Sequence, residues 1–211
     1  MYPWIRDAGK ELLQRVVFRN RFLWRLPAHR RGVALTFDDG PNPQFTPAIL
    51  ELLARERLKA TFFVIGSNVE RYPEIARRLV GEGHAIGGHT YDHREIVCLT
   101  PVELDSEMSR CRLAIREATG VDTMFFRPPR GMVNLASIRR VCGLGYHLVH
   151  WSKTYSDYQS DGLDRLIERM RRNPIRSRDI VLLHDHNSDT VDALARMIPL
   201  WRTQGIEFES I

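Results

Sequence analysis

No run in the 211 residues approaches the ~18–20 consecutive apolar positions that a helix needs to cross a bilayer. The opening MYPWIRDAGKELLQ carries charges early and lacks the apolar core of a secretory signal peptide. The expected setting is therefore cytoplasmic, with attachment at the inner membrane face as one variant, unless a leader precedes this chain. Cysteine is scarce. Cys98, Cys111 and Cys142 are an odd number without CxxC spacing, which argues against a disulfide framework and agrees with a reducing compartment. Repeats, low-complexity tracts and interdomain linkers are also missing, so one domain with a full core is expected. Acidic excess is missing too. The formal charge is +5, but residues 1–31 carry eight Lys/Arg against two acids, leaving the other 180 residues at −1. The positive charge belongs to an N-terminal arm. No basic patch with groove-reading or aromatic elements accompanies it, so no nucleic-acid partner is expected.

What is present is an alternation of β-rich apolar runs with helix-period segments. GVALTF (32–37), ATFFVI (60–65), HAIGGH (84–89), TMFFRPP (123–129), YHLVHW (146–151), DIVLLHD (179–185) and the closing GIEFESI read as strands. Helical patterns lie at 43–57, 69–82, 101–120, 134–142, 162–172 and 190–204. Thr100-Pro101 with Glu103 is a helix start. The pattern predicts an α/β fold: a distorted (β/α) barrel of about seven parallel strands with outer helices. In such barrels chemistry sits at the C-terminal strand ends. The polar clusters fall there: Asp38-Asp39, His89 to His93, Arg127, Asp157 and His184-Asp185.

Taken singly, each cluster has a plain reading. HTYDH (89–93) places two histidines four apart, which suits one metal ion or a solvated turn. TFDDGP (36–41) sets two carboxylates side by side after a buried strand, and their repulsion calls for a cation, although Asp-Gly-Pro is also a turn signal. One carboxylate and two imidazoles make a three-ligand site with room for water, and the second carboxylate is left free to accept a proton. Arg127 in FFRPPRG suits a bidentate carboxylate contact or a surface position. His184 in VLLHD suits a general acid or a structural role.

In this order the clusters resemble the polysaccharide deacetylase family, the NodB-homology or carbohydrate esterase family 4 domain, over residues 32–211. TFDDG matches the first motif, H-[ST]-x-x-H the second, R-x-P-x-G the third through Arg127, Pro129 and Gly131, and L-x-H the last. The resemblance implies that Asp39, His89 and His93 bind one divalent metal ion, usually zinc, with cobalt or nickel as alternatives. It implies Asp38 as general base, Arg127 orienting it, His184 as general acid, and Asp157 of TYSDY (154–158) tuning that histidine. Leu182 matches the apolar contact to the acyl methyl, and the N–H at Arg130 an oxyanion donor.

Thr154 and Tyr158 replace an aspartate and a tryptophan of the fourth motif, and Arg130 stands where Tyr or Phe is common. Substrate contacts are therefore assigned to Arg130, Tyr158, Leu182 and Trp151, with the aromatics either stacking on sugar or lying in the core. The expected reaction is removal of an N-acyl group, acetyl foremost, from an amino sugar. The alternatives are a deformylase or deacetylase of a lipid-linked sugar, a non-sugar amidase, or an inactive sugar-binding barrel. The arm, with Ile5, Ala8, Leu12, Val16 and Leu23 near helical spacing among arginines, suits a helix lying on anionic lipid through residues 1–27, or one packed against the barrel.

Overall fold

The computed structural model describes residues 21–211. Eight strands form one sheet: β1 (Phe22–Leu23), β2 (Ala34–Asp38), β3 (Thr61–Val64), β4 (Ala85–Gly88), β5 (Phe125–Phe126), β6 (His147–Val149), β7 (Lys153–Thr154) and β8 (Ile180–His184). Their order is β1-β6-β5-β4-β3-β2-β8-β7, and every pair is parallel. The sheet curls into a partial barrel. The outer helices are α1 (Phe45–Arg55), α2 (Gly66–Arg71), α3 (Pro73–Gly81), α4 (Pro101–Thr119), α5 (Leu135–Gly143), α6 (Leu163–Arg172) and α7 (Ser188–Thr203). Among the described residues no helix is long and apolar enough to cross a membrane.

β2, an interior strand between β3 and β8, is buried along its whole length. It reads as a continuous apolar run because helices cover one face and barrel-interior side chains the other. The larger core cluster packs Phe37, Phe62, Ile49, Leu53, Leu194 and Trp201 between sheet and helices. A second cluster fills the curl with Leu23, Leu26, Phe63, Val149, Trp151 and Leu182. α4 begins with a reciprocal capping box between Thr100 and Glu103 and ends on left-handed Gly120, as its sequence foretells.

Three expectations are corrected. The segment 69–82 is two helices, because Tyr72 precedes Pro73 and leaves the helical region (φ −132, ψ 57). The closing GIEFESI is no strand. Phe208 makes one isolated bridge to Val33, just ahead of β2, since β2 itself already has β3 and β8 on its two edges. The N-terminal arm is not a helix throughout, nor separate from the barrel up to residue 31. Phe22 and Leu23 pair with β6, and Arg25 bridges antiparallel to Asp179. Leu23, Trp24 and Leu26 are buried, so they are not available to a lipid surface. The remainder of the proposed amphipathic helix, residues 1–20, lies outside the described residues.

Candidate active site and metal centre

Asp38 and His184 are register partners on neighbouring strands, and so are Thr36 and Leu182 two residues earlier. Side chains alternate along a strand, so all four point to the same side. Arg127 leaves β5 and is wholly buried. Its Nη1 donates to Asp38 Oδ1 and to Thr36 Oγ1, each at 2.7 Å. Nη2 donates to the His150 carbonyl at 3.1 Å and Nε to that of Val149 at 3.3 Å. The guanidinium also lies 4.1 Å above the centre of the Phe63 ring. A buried cation is tolerated when its donors are matched in this way, and its partner carboxylate is then locked in place.

After Asp38 the backbone turns sharply, with Asp39 in the left-handed region (φ 77). Gly40 follows where a Cβ would fall 2.2 Å from Asp185 Oδ2. The turn swings Asp39 toward the loop after β4. His89 Nε2 lies 3.5 Å and His93 Nε2 3.2 Å from Asp39 Oδ1. His89 Nδ1–H donates to the Arg127 carbonyl at 2.8 Å, which leaves Nε2 as a lone pair facing the carboxylate. Although both rings are close, Asp39 Oδ1 is buried with no N–H aimed at it. One ligand atom from each of Asp39, His89 and His93 falls within 4.8 Å of the others. Burial lowers the pKa of His89 despite Asp38 and Asp39, favouring the neutral ring that ligates metal. Burial alone would raise Asp39, but the close His93 ring and the charge of His184 hold it well below the ordinary carboxylate value. An orphaned carboxylate oxygen beside two imidazoles fits a divalent cation, with oxygen and nitrogen donors typical of zinc.

On the other side of Asp38, His184 Nδ1 is 2.9 Å from Asp157 Oδ1. Asp157 Oδ2 accepts the His184 backbone N–H at 2.7 Å and the Thr190 hydroxyl at 3.0 Å. Burial pulls the His184 pKa down, but Asp157, with Asp38 and Asp39 behind it, carries it up to about 9. The ring is therefore a proton donor at neutral pH. Burial is also the main cause that raises Asp185 to about 7.

The expected substrate contacts are more dispersed. Tyr158 is 55% exposed and meets the His184 ring edge-on at 5.7 Å. Arg130 is exposed, but its guanidinium pairs with Glu95 at 2.9 Å, so it is not a free cation. Leu182 is buried in the barrel interior. Trp151 is buried as well and stacks on His150 at 4.1 Å. Sequence reasoning missed Thr36, which braces Arg127, and Thr190, which braces Asp157. Thr190 had a signal: it stands three residues after Asn187, the N-cap of α7.

The polysaccharide deacetylase family profile matches residues 25–149. The chain belongs to the polysaccharide deacetylase family. Among curated relatives, a peptidoglycan-N-acetylglucosamine deacetylase of Bacillus cereus is 35% identical over 89% of this chain and 90% of that protein. A chitooligosaccharide deacetylase of Bradyrhizobium sp. is 36% identical over 86% of this chain and 89% of that one. Among solved structures, the Bc1960 peptidoglycan N-acetylglucosamine deacetylase superposes with a TM-score of 0.86 at 30% identity, covering 93% of this chain and 94% of its own. A CE4 family pseudoenzyme from Bacillus anthracis superposes at 0.83 with 27% identity, covering 90% and 67%. Within this polysaccharide deacetylase family, then, the fold alone does not guarantee turnover.

Proposed function

We propose that the protein is a metal-dependent N-deacetylase acting on N-acetylglucosamine units of a glycan polymer or oligomer. The observation that carries this reading is the pairing of Asp38 with Arg127 and of His184 with Asp157 at the ends of adjacent strands, beside the Asp39–His89–His93 cluster. When bound at that cluster, a divalent ion lowers the pKa of a water molecule and polarises the acyl carbonyl.

The chain's own residues supply the rest. Asp38, held by Arg127, accepts the proton of the attacking water. Its Oδ2 lies 3.9 Å from His89 Nε2, so the base stands beside the metal cluster without being needed as a ligand. His184 donates a proton to the departing amine nitrogen, without which an amine is a poor leaving group. Asp157 fixes the ring through Nδ1, so that Nε2 is the proton-bearing tip. The carboxylate also holds the ring charged until that proton leaves. Leu182, on the same side of β8 as His184, offers the acyl methyl an apolar contact. The full set of these residues supports an active enzyme over an inactive sugar-binding barrel.

Purified protein supplied with zinc, cobalt or nickel is expected to release acetate from N-acetylglucosamine oligomers or from peptidoglycan. No acetate from either substrate class with any of the three metals, in protein that binds metal, would sink the reading.

A further inference from the structure

The turn that carries both histidines of the proposed metal site is itself held by two helices. We propose that Glu107 on α4 is a positioning residue of the metal centre, a carboxylate that sets the backbone of the His89–His93 turn. This inference rests on the reading of Asp39, His89 and His93 as metal ligands.

The turn is not one the chain adopts unaided. Thr90 (φ 62) and His93 (φ 57) both sit in the left-handed region, where a β-branched or bulky residue persists only if its surroundings over-determine it. The surroundings do so from two sides. On one, the N–H groups of Gly66 and Ser67 at the start of α2 donate to the carbonyls of Thr90 and Tyr91, each at 3.0 Å. A Cβ at Gly66 would fall 2.7 Å from the Tyr91 ring and 2.9 Å from Cys111 Cα, so the approach of turn, α2 and α4 depends on that glycine. On the other side, a single oxygen, Glu107 Oε2, accepts the N–H groups of both Tyr91 and Asp92 at 2.9 Å.

Glu107 is only 4% exposed. Its carboxylate makes no ion pair among the described residues, and its two hydrogen bonds both go to the turn. A carboxylate buried without a cationic partner is unfavourable unless its hydrogen bonds compensate, and a neutral side chain would fill the space as well. Glu103 and Arg110, four and three residues away on the same helical face, meet residues of the turn or just beyond it. Glu103 pairs with Arg94 at 3.0 Å, and the Arg110 guanidinium lies 3.6 Å over the Tyr91 ring. Of these three side chains, Glu107 alone reaches the backbone between the two histidines. Since His89 is fixed by the Arg127 carbonyl, the orientation of the turn decides where His93 stands relative to Asp39.

The test is zinc affinity, measured on the full chain by competition with a chromophoric chelator, with unfolding of the chelator-treated protein followed in parallel. Glu107→Gln keeps the shape and weakens the acceptor. Its zinc affinity is expected to fall roughly 10–100-fold, the range for groups that orient a metal ligand, while its metal-free stability stays close to the parent's. Leu194→Ala, a core truncation far from the turn, is expected to lower stability and leave zinc affinity unchanged. If Glu107→Gln does not fold, Glu107→Asp takes its place, with the carboxylate withdrawn by one methylene and the same loss expected. His93→Ala separates the two claims. If it binds zinc as the parent does, the ligand reading fails and the proposal with it. If it loses zinc while the Glu107 variant stays within twofold of the parent, the proposal alone is overturned. Equal losses of affinity in Leu194→Ala and the Glu107 variant would also overturn it.

Discussion

At the scale of single residues, the two adjacent aspartates have different surroundings and should fail differently. Asp38 is held by Arg127, whereas Asp39 faces two imidazoles with one oxygen unsatisfied. Asp38→Asn is expected to retain metal and lose turnover by ~10²–10⁴-fold, the effect of a missing general base. Asp39→Asn is expected to lose metal, and elemental analysis of the two variants after reconstitution decides between them. Full metal in the second and none in the first would reverse the assignment. The His184–Asp157 pair gives a pH prediction. A donor with its pKa raised to about 9 is protonated below that value, so turnover should persist through neutral pH and fall as pH rises through about 9. Asp157→Asn removes the chief raising influence and leaves burial to lower the ring's pKa. The alkaline limb of the kcat profile should then move to lower pH. An unmoved limb would mean that another group sets it.

At the scale of elements, the edge segment around β1 belongs to the barrel core, and its stability contribution can be measured. Leu26 is fully buried, and its N–H bonds the Arg178 carbonyl at 2.9 Å. Leu26→Ala should therefore destabilise by about 2–5 kcal/mol, as truncations in a filled core do, and chemical denaturation measures it. A change under ~0.5 kcal/mol, the size of a surface substitution, would place this segment outside the core. β1 and β7 were illegible for a simple reason: two residues are too few to show a period of two. β2, β3 and β8, four or five residues each and wholly or largely buried, stood out as apolar runs. The α2–α3 break has a signal in Pro73, which the helical spacing on either side of it masks. At the site, Asp38, Asp39, His89, His93, Arg127 and His184 could be found because each ends or follows an apolar run and together they match a motif order. Glu107, Thr36 and Thr190 act through contacts made across the fold. A carboxylate in the middle of a long helix looks like any solvated one until its partners are seen.

At the scale of the whole molecule, the metal cluster joins the end of β2 to the loop after β4. An ion bound there should stabilise the fold as any ligand specific for the native state does. At a free concentration 100 times its dissociation constant the gain is about 2.7 kcal/mol. For a chain of this size that should raise Tm by roughly 5–10 °C, and a thermal melt with and without chelator reads it. An unchanged Tm at saturating metal would argue against a site in the native fold. The register of β2 against β8 has a further consequence, and it concerns time. Asp38 is made 146 residues before its register partner His184. β3, close in sequence, can dock against β2 at once, but β8 must wait until every other described strand of the sheet has been made. Pairings this distant in sequence are slow to form, because loop closure precedes any reward from contact. No chain that stops short of β8 can therefore bring the proposed base and acid together, and competence for the reaction arrives only with the last strand of the sheet.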